Sequence, residues 1–287
     1  MEEKAYAKIN LGLHVLGVRS DGYHEVDMIM QSVSLADEIE LTEADNFLLS
    51  TDNPILPCDA SNLAWKAAQI MTELTHRKPN VHIHIKKKIF IAAGLAGGSS
   101  DGAAVLRGLN KLWNVGLSRQ ELEVIGAKLG SDVPFCISGG TTRATGRGEL
   151  LNPLPDIPIM WLVLAKPQDL DVSTAWVYKN IISGQKGKRS AIDGLETAII
   201  EQAGRGIIEN ISNVLESVTI PAYPVIAEIK MAMLSAGALA VLMSGSGPTV
   251  FGLAADKASA ETIADILQAN TSLQIAVVRT IQRSETL

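Results

Sequence analysis

Apolar and polar side chains alternate strictly along residues 4–15, which predicts a β-strand with one buried face. Lys8 and Asn10 are two positions apart on the polar face, so we expect their side chains to point to the same place. The turn signal Ser20-Asp21-Gly22 ends this strand. Two further extended runs are predicted, one over residues 23–35 and a shorter one around residues 38–41.

A helical period of apolar residues starts after Ser61, which predicts an N-cap at that serine. Residues 81–85 alternate again and predict a strand. A lysine cluster, a glycine-serine segment and a helix over residues 100–113 follow this strand. Ser118 and Glu121 match a capping box, so another helix should begin there and end at Gly130. Residues 139–145 are predicted to form a return strand.

A composition shift at the proline-rich residues 152–158 predicts a link between two domains, residues 1–152 and 153–287. After it we expect a buried strand at 159–165 and two or three helices up to about residue 217, broken by a polar loop at 184–189. The tail predicts a helix (225–235), a strand (239–243), a turn (245–248), a strand (249–254), a helix (258–269) and a strand (273–281). This order indicates an α+β fold with a split βαβ arrangement.

Composition narrows the class of protein. Hydrophobic residues make up 47% of the 287 residues and charged residues 20%, which is typical of a globular protein with a large core. The net charge of −6 argues against a nucleic-acid partner, because such proteins are usually basic. Cys58 and Cys136 are far apart and favour free thiols in a reducing cytoplasm. No apolar run is long enough to span a membrane, so we predict a cytoplasmic protein with no membrane partner.

The glycine-serine segment between the strand and the helix has the chemistry of a phosphate site. Glycines let backbone N–H groups approach an anion, and the start of a helix adds unpaired N–H groups and a partial positive charge. A flexible turn with a serine cap is the alternative interpretation. The chain has no Gly-Lys-Ser or Gly-Lys-Thr of a Walker P-loop and no Rossmann fingerprint. The segment comprises Gly94, Leu95, Ala96, Gly97, Gly98, Ser99 and Ser100.

Residues 7–11, 93–101 and 243–249 together resemble three motifs of the GHMP kinases, and the resemblance spans roughly residues 4–253. It implies an ATP-dependent small-molecule kinase with a two-domain fold. The N-terminal domain would be a ribosomal-protein-S5-like domain for ATP binding and catalysis, and the C-terminal domain a ferredoxin-like αβ sandwich that binds substrate. Phe90 stands where the family usually has proline, and Gly102 where it usually has alanine.

The resemblance implies that Asp132 is the catalytic base and Lys8 its charged partner. From position alone, Asp132 could equally be a helix N-cap ahead of Pro134, and Lys8 could be a solvated lysine on an open strand face. Magnesium would arrive with ATP, because the sequence contains no metal-ligand constellation. ATP contacts are implied for the glycine-serine segment and for Asn62, Leu63, Lys88, Ala92, Ala93 and Asp101.

Residues 8–16, together with residues 22–25 and 130–135, resemble members of the family whose substrate contains a cytidine diphosphate group. In such a site Tyr23 and Tyr178 would sandwich the cytosine, and His24 would contact its edge. Core packing is nearly as good an interpretation of Tyr178, and a tight hairpin turn is the alternative for residues 244–248. His82 and His84 are predicted to be solvated. Further substrate contacts are implied for Asn10, Gly245, Ser246 and Gly247.

The resemblance therefore implies phosphorylation of a hydroxyl group on this cytidine-bearing substrate, in isoprenoid precursor biosynthesis. Another GHMP enzyme, such as a mevalonate-type kinase or the related diphosphate decarboxylase, is the alternative within the family. An RNA-binding module is an alternative from a different class, since the first half resembles a ribosomal-protein-like fold. The sequence does not predict the oligomeric state.

Overall fold

A computed structural model describes residues 1–181, 189–269 and 272–286 of the protein. Its strands are β1 (Glu2–Val18), β2 (His24–Glu43), β3 (Leu48–Thr51), β4 (Val81–Lys86), β5 (Thr141–Thr145), β6 (Leu150–Pro153), β7 (Trp161–Pro167), β8 (Ser212–Asn213), β9 (Ala240–Met243), β10 (Val250–Ala254) and β11 (Leu273–Arg279). Its helices are α1 (Leu63–Thr75), α2 (Gly97–Leu112), α3 (Arg119–Gly126), α4 (Val133–Ser138), α5 (Thr174–Asn180), α6 (Arg189–Ile200), α7 (Gly204–Asn210), α8 (Glu216–Ala222), α9 (Val225–Ser235) and α10 (Lys257–Gln268). None of the helices in these ranges is both long and apolar enough to cross a membrane.

Two sheets organise the chain. The larger has the order β3-β4-β2-β1-β8, with β5 and β6 attached beside β2. The smaller is antiparallel with the order β11-β7-β10-β9. Its first and last strands in the sequence are neighbours, and α10 connects β10 to β11, which is the split βαβ arrangement. The predicted α+β fold with a ferredoxin-like second sheet is confirmed.

The sequence predicted one buried and one exposed face for β1, and this prediction is wrong. Register shifts between Tyr6 and Lys8 and between Asn10 and Gly12 exchange the two faces of the strand. Consequently Ala5, Leu13 and Val15 lie in one core cluster, whereas Ala7, Ile9 and Leu11 lie in the other. Every residue from Ala7 to Val15 is buried, including Lys8 and Asn10.

The two extended runs predicted after the first turn form a single strand, β2. Asp37 lies inside this strand. Its carboxylate is fully buried there and accepts hydrogen bonds from the backbone N–H groups of Lys88 and Ile89. Asp37 lies in the predicted gap between the two runs, but partners far away in the chain hold it within the sheet.

Several predicted boundaries move. The N-cap of α1 is Asn62 rather than Ser61, because the Asn62 side chain accepts from the backbone N–H of Ala64 while Ser61 binds Asp59. Helix α2 begins three residues before the predicted start, and α3 has the predicted capping box but ends at Gly126 rather than Gly130. In the described part of the chain, three helices (α5, α6 and α7) lie before residue 217, as predicted, and α8 is an additional helix at 216–222 that was not predicted. The predicted polar loop at 184–189 lies outside the described residues except for its last residue, which begins α6.

The proline-rich link is partly ordered secondary structure, since β6 pairs with β5 across residues 150–153. Strand β8, from the second half of the chain, pairs in parallel with β1 at Gly12 and Leu13. The division into residues 1–152 and 153–287 stays a prediction.

Candidate active site

A cavity of about 1010 Å³ opens where β1, the segment before α2, the start of α4 and the β9–β10 turn meet. It brings together most of the predicted site residues, from both halves of the chain. Five predicted ATP contacts do not line it: Asn62, Lys88, Leu95, Ser100 and Asp101. The predicted residues that line it are Lys8, Asn10, Tyr23, His24, Leu63, Ala92, Ala93, Gly94, Ala96, Gly97, Gly98, Ser99, Asp132, Tyr178, Gly245, Ser246 and Gly247.

The backbone is strained in the glycine-serine segment and just before it, ahead of α2. Ala92, Gly94 and Ala96 have φ values of 50°, 73° and 58°, and non-glycine residues seldom adopt such angles. Ala96 is the N-cap of α2, and no side chain of the described residues caps this helix end. The first N–H groups of the helix, from Gly97 onward, are therefore available at the cavity wall. This geometry suits an anion.

The glycine-serine segment contacts the β9–β10 turn, residues 244–249. A Cβ atom at Gly94 would lie 2.3 Å from the carbonyl oxygen of Ser244, so only glycine fits there. The Ser244 hydroxyl donates to the Gly94 carbonyl at 3.0 Å. The side-chain amide of Asn213 donates to the carbonyls of Met243 and Gly245 at 2.7 and 2.8 Å. Sequence analysis missed Asn213, because it lies some thirty residues from the turn that it supports.

Lys8 and Asp132 meet in the cavity. The Lys8 Nζ atom donates to Asn10 Oδ1 at 2.6 Å and to the Gly94 carbonyl at 3.1 Å, and it lies 3.9 Å from Asp132 Oδ2. Asp132 does occupy the N-cap position of α4, but its side chain makes no capping hydrogen bond. The carboxylate is thus directed to Lys8 and does not cap the N-terminus of the helix.

The lysine beside the glycine segment is Lys87, and Lys88 points away. Lys87 Nζ bonds to Asp37 and, at 2.9 Å, to Asp101, and all three side chains are buried. Lys88 is half-exposed and pairs with Glu38. The alternation Val81, Ile83, Ile85 continues to residue 87, and this signal could have identified the inward lysine.

Asp101 holds Lys87 rather than lining the cavity. Burial, the largest cause, and the nearby Asp37 carboxyl raise the pKa of Asp101 to about 8, although Lys87 opposes this shift. Among the described residues, the second oxygen of this carboxyl, Oδ1, is buried with no hydrogen-bond partner. The buried group therefore sets the position of Lys87 below the first turn of α2.

Two other residues predicted to contact ATP, Ser100 and Asn62, form hydrogen bonds within the protein instead. The Ser100 hydroxyl donates to the Tyr6 carbonyl at 2.7 Å, so Ser99 is the serine that faces the cavity. Asn62 caps α1 and donates to the Pro57 carbonyl, which leaves Leu63 at the cavity wall.

Aromatic residues line another part of the cavity wall, which we call the aromatic end. Tyr23 is 53% exposed, and the Arg147 guanidinium lies over its ring with Cζ 4.7 Å from the ring centroid. The rings of His24 and Tyr178 are 5.2 Å apart at 47°. Burial, and secondarily the Asp132 charge, raises the pKa of the Tyr178 hydroxyl. Tyr178 packs against the core and also lines the cavity, so both interpretations of it have support. Arg147 was missed by sequence analysis.

The strand histidines lie away from the cavity. His82 and His84 are half-buried, and the Ser50 hydroxyl bonds to a ring nitrogen of each at 2.7 and 2.8 Å. They are therefore bound to a neighbouring strand rather than freely solvated. In the described ranges, no group of three or more histidine, cysteine, aspartate or glutamate residues could hold a metal ion.

Comparison with known proteins gives the family. The models of the GHMP kinases N terminal domain and GHMP kinases C terminal match residues 62–140 and 195–272. The chain belongs to the GHMP kinase family, as its motifs indicated. It is thus an ATP-dependent small-molecule kinase, and the RNA-binding alternative has no support.

Three relatives are informative. A 4-diphosphocytidyl-2-C-methyl-D-erythritol kinase of Gloeobacter violaceus is 45% identical over 97% of this chain and 94% of its own length. A protein of the same name from a Geobacillus species is 52% identical over 87% of this chain and 86% of its own. The crystal structure of a 4-(cytidine 5'-diphospho)-2C-methyl-D-erythritol kinase has a TM-score of 0.84 and 34% identity, and covers 98% of this chain and 99% of that one.

Proposed function

We propose that this chain catalyses the ATP-dependent phosphorylation of the 2-hydroxyl group of 4-diphosphocytidyl-2-C-methyl-D-erythritol, a step of non-mevalonate isoprenoid precursor biosynthesis. The observation that supports this most is the Lys8–Asp132 pair, which lies in one cavity with a glycine-rich helix start and a set of aromatic rings. The names of the relatives agree with it.

The residues divide the chemistry between them. Bound ATP supplies the phosphoryl group, and the N–H groups at the start of α2 would hold its phosphates. Asp132 would accept the proton of the attacking hydroxyl, and Lys8 would steady the hydroxyl oxygen and the charge that develops beside it. Asn10 and the Gly94 carbonyl fix the ammonium group of Lys8, so little reorganisation is needed.

Magnesium would enter with ATP. The described residues supply no closed cage for the ion, but a cation that keeps several waters and binds phosphate needs few protein oxygens. The Ser99 hydroxyl, at the helix start and on the cavity wall, is the oxygen of the glycine-serine segment that could reach it.

The aromatic end of the cavity favours a base-bearing substrate over mevalonate. Tyr23, His24 and Tyr178 offer stacking faces and a polar ring edge that a small acyclic acid would not use. We further propose a cytoplasmic location, which the two free cysteines and the acidic composition support.

A coupled assay of ADP release tests the proposal. We expect turnover with 4-diphosphocytidyl-2-C-methyl-D-erythritol and little or none with 2-C-methyl-D-erythritol 4-phosphate or mevalonate. Equal turnover with the phosphate lacking cytidine would contradict a role for the base, and turnover with mevalonate alone would establish the alternative.

A further inference from the structure

Arg147 is a cationic residue of the cavity wall with no role in the mechanism above. It lies between Gly146 and Gly148, whose φ values are 71° and 111°, in the tight turn between β5 and β6. The Glu149 carboxylate accepts the backbone N–H of Arg147 at 2.6 Å and lies 3.7 Å from its Nε atom, which is beyond hydrogen-bond distance. The turn is therefore fixed, whereas the guanidinium forms only a long ion pair with Glu149 and donates no hydrogen bond to it.

The donors of this guanidinium are unused in the described part of the chain. They make no hydrogen bond there, and the side chain rests on the ring of Tyr23. The lysines at the other end of the cavity are already engaged. Lys8 bonds to Asn10 and a backbone carbonyl, and Lys87 bonds to two buried carboxyl groups.

The proposed substrate places an anion near Arg147. Its diphosphate joins the cytidine to the acceptor alcohol, so it must span the cavity between Tyr23 and the Lys8–Asp132 pair. The phosphate next to the ribose lies one sugar away from the base. A guanidinium that rests on the stacking ring is thus within reach of this phosphate, and its planar fork matches two phosphate oxygens.

We infer that Arg147 binds the diphosphate of the substrate while it covers one face of Tyr23, and so selects nucleoside diphosphates over nucleosides. This inference rests on the proposed function. It makes Arg147 a specificity residue for the phosphate part of the substrate, separate from the aromatic residues that would hold the base. The competing explanation is that Arg147 only orients the Tyr23 ring.

Calorimetric or NMR titration with CDP and with cytidine separates the two explanations. In Arg147→Met we expect CDP to bind about 10- to 100-fold more weakly, because a charge-assisted contact is lost. Cytidine should bind nearly as in the wild type. Arg147→Lys should recover part of the CDP affinity, since it keeps the charge but not the fork.

Arg19→Met is the matched control. Arg19 pairs with Asp21 and Glu25 in the same part of the molecule but does not line the cavity, so this variant should bind both ligands normally. Thermal melts of all variants check their folding. Unchanged CDP affinity in Arg147→Met, or equal losses for CDP and cytidine, would overturn the inference.

Measurements on the wild type distinguish a failure of the inference about Arg147 from a failure of the proposed function. If the wild type binds CDP and phosphorylates the cytidine substrate while Arg147→Met does so equally well, only the inference about Arg147 fails. If the wild type neither binds CDP nor phosphorylates this substrate, both proposals fail.

Discussion

At the glycine-segment end of the cavity the two lysine side chains are buried, whereas at the aromatic end the ring of Tyr23 is open to solvent. The side chains of Lys8 and Lys87 are 5% and 3% exposed and contact carboxylates, amides and backbone carbonyls. Tyr23 is 53% exposed, and its described ring contact is the guanidinium of Arg147. The two ends therefore differ in how firmly they are built before any ligand binds.

This difference has a physical reason. Phosphoryl transfer depends on placing charges accurately in a site that excludes water, so the groups that act on the phosphate must be ordered beforehand. A base is held by stacking, which tolerates a mobile ring and contributes mainly affinity. Changes at the buried end should thus affect chemistry and stability, and changes at the exposed end should affect substrate binding.

The largest effect should follow from removing the proposed base. Asp132→Asn should lower kcat by about 10²–10⁴-fold, because an amide cannot accept the hydroxyl proton in the transition state. ATP affinity should change little. Steady-state kinetics and ATP titration measure both, with Asp193→Asn, an exposed change on α6, as the control. Near-normal turnover in Asp132→Asn would remove Asp132 from the mechanism.

The buried lysine should matter more for folding than its neighbour. Lys87→Met leaves the Asp37 carboxylate buried without its cation and removes a hydrogen-bond partner of Asp101, which should lower the free energy of unfolding by about 3–5 kcal/mol. Lys88→Met breaks only a solvent-exposed pair with Glu38 and should leave stability almost unchanged. Urea unfolding of the two variants compares them directly. Equal stability of both would mean that the buried pairs contribute nothing net.

Sequence analysis could identify the glycine-serine segment because its residues are contiguous and lie between a strand and a helix. It could also place Lys8 beside Asn10, since residues two apart in a strand share a side even where bulges lie on either side of the pair. It chose Lys88 over Lys87 because the alternation of Val81, Ile83 and Ile85 was not extended to residue 87. The choice depends on Asp37 and Asp101, which lie 50 and 14 residues away.

Other features depend on long-range contacts that no local pattern reports. The bulges that exchange the faces of β1 are set by its pairing with β2, so strict alternation in the sequence was misleading. Arg147 lies in a turn far from the motif that contains Tyr23, and only the folded chain brings the two together. The roles proposed for the site residues stay predictions.

The pH dependence of stability should reveal Asp101. Its folded pKa of about 8 lies above its ordinary value of 3.8, so its proton stabilises the folded state fully below about pH 4. This contribution is lost as pH rises towards about 8, with a slope of at most about 1.4 kcal/mol per pH unit. Asp101→Asn cannot titrate, and its unfolding free energy should therefore fall less between about pH 5 and 8.

Urea unfolding at a series of pH values measures that slope for the wild type and the variant. Asp256→Asn is a suitable control, because Asp256 is an exposed N-cap whose pKa is lowered by the Ser259 backbone N–H, so it stays ionised throughout this range. Parallel curves for the wild type and Asp101→Asn would show that Asp101 does not hold a proton near neutral pH.

The smallest effect should appear at the exposed ring. Tyr23→Ala should weaken binding of the cytidine substrate by about 1–3 kcal/mol, because one stacking face is lost, and this should raise KM more than it lowers kcat. Tyr23→Phe should cost far less, since both stacking and the contact with Arg147 need the ring rather than the hydroxyl. The loss in Tyr23→Ala should vanish for an analogue without cytidine. An equal loss with that analogue would make Tyr23 a structural residue, and a phenylalanine variant as weak as the alanine one would show that the hydroxyl does the binding.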